Sequence, residues 1–219
     1  MKQLIVIPCY NTHIYINKLI SDIYKNTSTD ILVIDDGSSP KISFEKDKLT
    51  NLKIIRNDIN KGKGHALKKG FLYAKENNYT HVITLDGDLQ HDPFEINKFI
   101  LEDKGIDFLI GYRELRRPMP LSRIISNTIT SKIISLILNK NIRDSQCGYR
   151  RYRLKKIDFN SNSSNGYIFE SEILLKSVNK LSVLKNIPIK VIYDGSPSHI
   201  NKFTDTIKFI KLILKHIIA

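Results

Sequence analysis

The chain alternates between short apolar runs and longer stretches whose apolar residues recur at helical spacing. Leu4 to Ile7 is an unbroken apolar run closed by Pro8, the pattern of a buried strand. Ile14 to Lys25 places Ile16, Leu19, Ile20 and Ile23 on one stripe, which predicts an amphipathic helix. Asp30 to Ile34 and Leu52 to Arg56 read as strands, Gly64 to Asn77 as a helix, and Val82 to Leu85 as a strand. Pro93 opens a helix through Leu101, because a proline suits a first helical turn. Phe108 to Gly111 is a further strand. This alternation predicts an α/β fold with a mostly parallel, doubly wound sheet and crossover helices. In such sheets ligands bind beyond the carboxyl ends of the strands. Asp35-Asp36 and Asp86-Gly87-Asp88 both stand at such ends, so two acidic groups from distant sequence are expected on one rim. No repeat, low-complexity stretch or domain linker interrupts the pattern, and Ser161 to Gly166 is its most loop-like segment.

Composition narrows this picture. The 219 residues are 41% hydrophobic, which supports a packed core and excludes a disordered chain. Cys9 and Cys147 lie far apart without a CxxC, which fits a reduced compartment and no zinc site. Leu4 to Ile7 is too short for a signal peptide, and no apolar run reaches the ~18 residues of a membrane span. A cytoplasmic protein is expected. The net charge of +13 suits nucleic acid, anionic lipid or phosphorylated ligands, but no nucleic-acid-binding signature accompanies it. Nucleic acid is therefore not expected as a partner.

The candidate chemistry centres on Thr84-Leu85-Asp86-Gly87-Asp88-Leu89-Gln90-His91. Alternate residues of an extended segment point the same way, so Asp86 and Asp88 can converge, with Gly87 leaving room for a close approach. With the carbonyl oxygen of Gln90 they form an all-oxygen set, suited to Mg²⁺ or Mn²⁺ that also holds substrate phosphates. A bare Asp-x-Asp equally describes a solvated acidic turn, and its neighbours decide between the two. Lys61-Gly62-Lys63-Gly64-His65-Ala66 is a basic, glycine-rich start to a helix, where backbone N–H groups and the helix dipole suit an anion. A capped helix start without a ligand is the plainer alternative.

Pro8-Cys9-Tyr10-Asn11, Val33-Ile34-Asp35-Asp36-Gly37-Ser38, Asn60 to Ala66, and Leu85 to Gln90 follow one another in an order that resembles family-2 glycosyltransferases of the GT-A fold. The Asp-x-Asp-Leu-Gln-His pattern resembles the dolichol-phosphate mannosyltransferase-like, polyprenyl-phosphate branch. Asp144-Ser145-Gln146-Cys147-Gly148-Tyr149-Arg150 and Gly166-Tyr167-Ile168-Phe169-Glu170-Ser171-Glu172 are similar to later motifs of that branch. The resemblance runs from residue 4 to about 200, and a single GT-A domain over residues 1–219 is expected, with a C-terminal amphipathic helix at about 203–219 read from its apolar spacing. It implies transfer of a hexose from a GDP- or UDP-hexose donor, with inversion at the anomeric carbon. Pro8, Tyr10, Asn11, Asp35, Asp36, Lys61, Gly62, Lys63, Asp86 and Gly87 would bind the donor nucleotide, with the Asp35 and Asp36 carboxylates accepting from base N–H and ribose hydroxyls. Asp88 would be catalytic through the metal it holds with Asp86 and Gln90. Arg113 and Arg123 match the branch's arginines that meet charge on the leaving diphosphate, with Arg116 and Arg117 as substitutes. Asp144, Glu170, Glu172, Ser198, His199 and Lys202 are candidates for acceptor or diphosphate contacts.

Members that glycosylate a hydroxyl often carry a Glu-Asp pair, whose Asp is the base. Here the segment reads Phe169-Glu170-Ser171-Glu172. A phosphate acceptor is already an anion and needs no strong base, so the departure favours a polyprenyl phosphate. Glu170 or Glu172 remains the base if the acceptor is a saccharide or protein hydroxyl. A lipid acceptor requires peripheral contact with the inner face of a membrane. The apolar segment Ile124 to Leu138 and the basic carboxyl-terminal helix, with Ile207, Ile210, Leu214 and Ile217 near one face, could supply it, or could simply pack on the domain. A sugar nucleotidyltransferase is the more distant alternative, disfavoured because Pro8-Cys9-Tyr10-Asn11 replaces a glycine-rich basic loop after the first strand. A non-catalytic binding module is disfavoured by the intact acids.

Overall fold

The computed structural model describes residues 1–44, 50–114, 119–159, 166, 168–192 and 202–218, without the side chains of 202–205. The chain runs β1 (Gln3–Cys9), α1 (His13–Tyr24), β2 (Asp30–Asp36), β3 (Leu52–Asn57), α2 (Lys63–Glu76), β4 (His81–Thr84), α3 (Ile96–Ile100), β5 (Phe108–Arg113), α4 (Leu121–Leu138), β6 (Arg150–Arg153), α5 (Phe169–Ser177), β7 (Leu184–Ile189) and α6 (Lys202–Ile218). The strands form one seven-stranded sheet in the order β3-β2-β1-β4-β6-β5-β7. β1, β2, β3 and β4 pair in parallel, as do β5 and β7. Only β6 runs against its neighbours β4 and β5.

Strand periodicity builds two cores from this one sheet. Leu4 and Val6 of β1 point to one face with Leu32 and Ile34 of β2, where Leu67 and Phe71 of α2, Ile134 of α4, Ile173 of α5 and Phe209 of α6 cover them. Ile5 and Ile7 point to the other face with Ile31 and Val33, covered by Ile16, Leu19, Ile20 and Ile23 of α1 and by Ile96 and Phe99 of α3. A sheet buried on both sides explains why its strands read as unbroken apolar runs.

The predicted helix from Pro93 is shorter than expected. Pro93–Glu95 form a 3₁₀ turn, capped by the Asp92 side chain on the Phe94 N–H, and the α-helical part is Ile96–Ile100. β6 and β7 were not expected. β6 reads Arg-Arg-Tyr-Arg and has no apolar alternation. Its Arg150 and Arg151 are buried instead as struts. Arg150 donates to the carbonyls of Ser145 (2.6 Å), Cys147 (2.7 Å) and Glu170 (3.1 Å). Arg151 donates to those of Phe99 (2.7 Å) and Glu102 (2.9 Å) on the opposite face. β7 carries Pro188, which is tolerated because β7 is an edge strand.

α4 corrects the expectation that no segment reaches membrane-spanning length. Its 18 residues are long and apolar enough by length and composition, and it is the one such helix among the described residues, with 22% buried. Its inward face carries Asn127, Ser131, Ile134 and Leu138, so polar residues anchor it. Ser131 Oγ accepts from the Ser145 N–H at 2.8 Å. Leu121, Ile125, Ile129 and Leu136 stay exposed.

His81, buried in β4, gives the fold an acid-sensitive point. Burial first, then the Arg151 and Arg153 charges, push its pKa down from 6.5 to about 4. A histidine depressed in the folded state stabilises above its unfolded pKa and loses that contribution as pH falls through the window to the folded value. Stability is therefore expected to fall between pH 6.5 and 4, with His81 contributing on the order of 3 kcal/mol. Urea melts of wild type and His81→Gln across that window check this. The variant should lose less stability than wild type, and equal losses would refute the assignment.

Candidate active site

β2 ends on Asp35-Asp36, and β4 ends one residue before Leu85-Asp86. Because β1, β2 and β4 are parallel, their carboxyl ends share one rim, and Cys9 of β1 registers with Asp35 of β2. The two acidic groups do meet there, but in different states.

Asp35 is fully buried and faces inward. Its carboxylate pairs with Arg56 and accepts from the Ser38 N–H (2.9 Å) and the Ile42 N–H (3.4 Å). Burial would raise this carboxyl, but Ser38 and Arg56 outweigh it and hold it below the usual range. Asp36 is also consumed. It accepts from Asn57 Nδ2 (2.7 Å), the Lys61 N–H (3.1 Å) and the Gly62 N–H (2.7 Å). The anion at the start of α2 is thus the protein's own Asp36. Asn11 and the Ser38-Ser39 turn are laced reciprocally: the Asn11 N–H donates to Ser38 Oγ, and the Ser39 N–H to Asn11 Oδ1, both at 2.9 Å. Gly37 takes φ +78°, and a Cβ there would stand 2.7 Å from backbone atoms of Ile59 and Asn60. Only glycine fits that turn. These two acids therefore organise the loops around Pro8, Tyr10, Asn11, Lys61 and Gly62, and a base or ribose bonding to either carboxylate would have to displace protein donors.

The second acidic group faces a cation already. Lys63, the first residue of α2, places Nζ 2.7 Å from Asp86 Oδ1 and 2.7 Å from Glu170 Oε1. Burial disfavours the ammonium, but Asp86 and Glu170 outweigh it and raise its pKa. Burial likewise opposes ionisation of Asp86, and Lys63 reverses that, holding Asp86 below the usual range. Asp88 differs: burial, then the Asp86 charge, push it up to about 6. Leu89 adopts a left-handed φ of 58°, turning the chain so that the Gln90 N–H donates to Asp88 Oδ1 at 3.1 Å. The Gln90 backbone carbonyl accepts from the Ile192 N–H at 2.9 Å. Among the described residues no three His, Cys, Asp or Glu side chains gather around a metal position. Two carboxylates and an amide oxygen nonetheless fit Mg²⁺ or Mn²⁺, which keep one or two protein carboxylates and complete their shell with phosphates and water. Mutual repulsion of Asp86 and Asp88 is the property that a dication would relieve.

Gly87 does not open a path for a ligand on the side a Cβ would occupy. That space holds Cys9 Sγ at 2.8 Å and the Pro8 carbonyl at 3.2 Å, so the glycine lets the ends of β1 and β4 pack. Gly148 has the more direct role. A Cβ there would stand 2.5 and 2.6 Å from the two Asp86 carboxylate oxygens.

Arg113, at the end of β5, is held by the fully buried Asp144. Nε donates to Asp144 Oδ2 (2.7 Å), Nη2 to Oδ1 (3.0 Å), and the Arg113 N–H to Oδ2 (3.2 Å). The Gln146 N–H adds 3.1 Å to Oδ1. Burial alone would raise Asp144, and Arg113 holds it low. The Asp144 carboxylate is thus spent on Arg113 and the Gln146 N–H. Arg113 also acts electrostatically on Asp86. Glu172 pairs with Lys176 at 2.6 Å, whereas Glu170 pairs with Lys63. Arg123 sits in the first turn of α4 and is half-buried. Arg116, Arg117, Ser198 and His199, and the side chain of Lys202, lie outside the described residues.

The sequence profile of Glycosyl transferase family 2 matches residues 4–160. The chain belongs to that family. It is a glycosyltransferase of GT-A fold, as the motif order implied. It is 26% identical over 202 residues to the polyprenol monophosphomannose synthase of Mycolicibacterium smegmatis, covering 86% of this chain and 76% of that one. It is 27% identical over 215 residues to the UDP-N-acetylglucosamine–dolichyl-phosphate N-acetylglucosaminyltransferase of Methanococcus voltae, covering 86% and 85%. Among solved structures, glucosyl-3-phosphoglycerate synthase from Mycobacterium tuberculosis, in complex with Mn²⁺, UDP and phosphoglyceric acid, superposes with a TM-score of 0.65. That match is 15% identical and covers 98% of this chain and 78% of the other.

Several working residues carried no sequence signal of their role. Arg56 and Asn57 look like the end of a strand, and Gly148, though it stands inside the Asp144 to Arg150 motif, gave no sign of its contact with Asp86. Their roles exist only where strands meet. For Gly148→Ala, donor kcat/KM should drop at least about tenfold, because the new methyl displaces the Asp86 carboxylate. The melting temperature should change by only a few degrees. Steady-state kinetics beside a thermal melt separate the two, and an unchanged kcat/KM would refute the assigned contact.

Proposed function

We propose that this glycosyltransferase moves a hexose from a GDP- or UDP-hexose to a polyprenyl phosphate, with inversion, using Mg²⁺ or Mn²⁺ held by Asp86, Asp88 and Gln90. The observation that carries the reading is the half-buried Asp86–Asp88 pair at the sheet rim, beside the start of α2 and within the field of Arg113. The bound ion would supply Lewis-acid stabilisation of charge on the leaving diphosphate. Arg113, oriented by Asp144, meets the same charge from a preorganised position. An acceptor phosphate oxygen forms the new bond to the anomeric carbon as the carbon–oxygen bond to the nucleoside diphosphate breaks, and the diphosphate keeps the electron pair. Inversion is what the family resemblance implies for that single displacement. Asp36 shapes the nucleoside pocket by fixing the Lys61-Gly62 loop, and Asp35 does so through Ser38 and Arg56.

The polyprenyl-phosphate acceptor is supported by the names of both relatives and by Glu170. The Glu170 carboxylate is engaged by the Lys63 ammonium at 2.7 Å, whereas a phosphate nucleophile needs no carboxylate to activate it. Access to a membrane is supported by two helices on one face of the sheet. α6 buries Phe209 and Leu212, yet exposes Ile207, Ile210, Leu214 and Ile217 on another stripe, beside Lys208, Lys211 and Lys215. Packing on the domain and an outward apolar face therefore coexist in this helix. α4 exposes its own stripe, with Leu136 at 81%. An apolar stripe flanked by lysines suits an anionic interface.

Three outcomes test this. Asp88→Asn should abolish nucleoside diphosphate release with a folded protein, and EDTA should do the same to wild type. An active variant together with EDTA resistance would sink the metal assignment. Asp36→Ala should raise the donor KM far more than it lowers kcat, since it loosens ground-state binding. A drop in kcat alone would refute the pocket-shaping role. Vesicles with anionic lipid should bind wild type and release it as salt rises. Replacing exposed Ile210 and Leu214 by serine should weaken that binding and leave the thermal melt unchanged. Efficient transfer to a soluble hydroxyl, with polyprenyl phosphate ignored, would overturn the acceptor.

A further inference from the structure

We infer that Lys63 is an internal competitor for the divalent ion at Asp86, and that Glu170 takes over its ammonium when the ion binds. This rests on the metal reading above and assigns two further positioning residues to that site.

One ammonium serves two carboxylates at equal distance, 2.7 Å to Asp86 Oδ1 and 2.7 Å to Glu170 Oε1. The three backbones are fixed. The start of α2 is capped by Asp36 on Lys61 and Gly62. Asp86 lies against Gly148, where no Cβ fits. The Glu170 carbonyl is held by the buried Arg150 at 3.1 Å. What can move is the long lysine side chain. Glu170 is 4% exposed, and its second oxygen, Oε2, is buried without a hydrogen-bond partner. A buried carboxylate oxygen left unsatisfied is costly, and it is a ready acceptor for an ammonium that shifts toward it.

The consequence is a charge exchange. Without the ion, Lys63 neutralises Asp86. A dication entering at Asp86 and Asp88 must displace that ammonium, which then falls to Glu170. A donor diphosphate arriving with the ion offers the displaced ammonium further oxygens. Ion and nucleotide therefore bind with positive coupling, and by linkage the coupling is reciprocal. The lysine penalises ion binding in the absence of donor, so the metal site fills together with the nucleotide.

The test is Mn²⁺ binding, read from the free-ion paramagnetic resonance signal, with and without GDP or UDP, on the full chain. Wild type should bind Mn²⁺ more tightly when the cognate nucleotide is present. Lys63→Met should bind Mn²⁺ alone about tenfold tighter, as expected for removal of a close competing charge, and should lose most of the nucleotide enhancement. Its melting temperature should also rise more on Mn²⁺ addition than that of wild type, because the ion replaces the missing positive charge. Glu170→Gln should do the reverse: weaker binding of Mn²⁺ alone and a larger nucleotide enhancement. If Lys63→Met does not fold, Glu170→Gln decides by the same signs, and Lys63→Arg should retain the wild-type coupling. Shifts of the same sign in the Met and Gln variants overturn the inference, as does no shift in either while wild type binds Mn²⁺. A wild type that binds Mn²⁺ no better than Asp88→Asn, with either nucleotide, overturns the metal reading itself and this inference with it.

Discussion

A single ammonium ties the two halves of this protein together at the point where chemistry is expected. Lys63 belongs to the first helix after β3, Asp86 to the loop after β4, and Glu170 to α5, far along the chain. Carboxylates gathered at one rim would repel one another without internal cations. Lys63 meets that constraint at Asp86 and Glu170, as Arg113 does at Asp144 and Arg56 at Asp35. The geometry of the site is then a geometry of compensated charge. Asp88 is the carboxylate with the least compensation, and it is the one pushed upward to about 6.

The first half of the fold was legible because its strands are buried on both faces and its helices on one. Continuous apolar runs and a 3.6-residue stripe are direct consequences of those environments. β1 to β5, α1 and α2 lie where the pattern put them, within a residue or two at their ends. β6 was illegible for an equally physical reason. It is buried, yet Arg150 and Arg151 satisfy loop carbonyls on both sides of the sheet, so the burial leaves no hydrophobic trace. Pattern reading assumes that inward-facing means apolar, and here two of the largest fully buried side chains are arginines.

The site was legible by residue type and much less by role. Asp35, Asp36, Lys63, Asp86 and Asp144 all stand on or beside the rim, yet the protein itself occupies most of their bonding capacity. An acidic motif announces that carboxylates are required. It cannot say whether a carboxylate holds a loop, an arginine or a ligand, because all three demand the same acceptor oxygens. The difference lies in distances to residues tens of positions away, and those are set by strand register.

The ends of the sheet carry a different consequence. Its outer strands are β3 and β7, and an outer strand offers unpaired backbone groups to any other extended chain. β3 carries Lys53 and turns Arg56 back onto Asp35, while β7 carries Lys185 and breaks its row of donors at Pro188. Both edges are thus poor templates for a further strand. Self-adhesion along the sheet is discouraged at each margin, and the exposed apolar stripes of α4 and α6 are carried on helices, whose backbone groups are already paired within themselves.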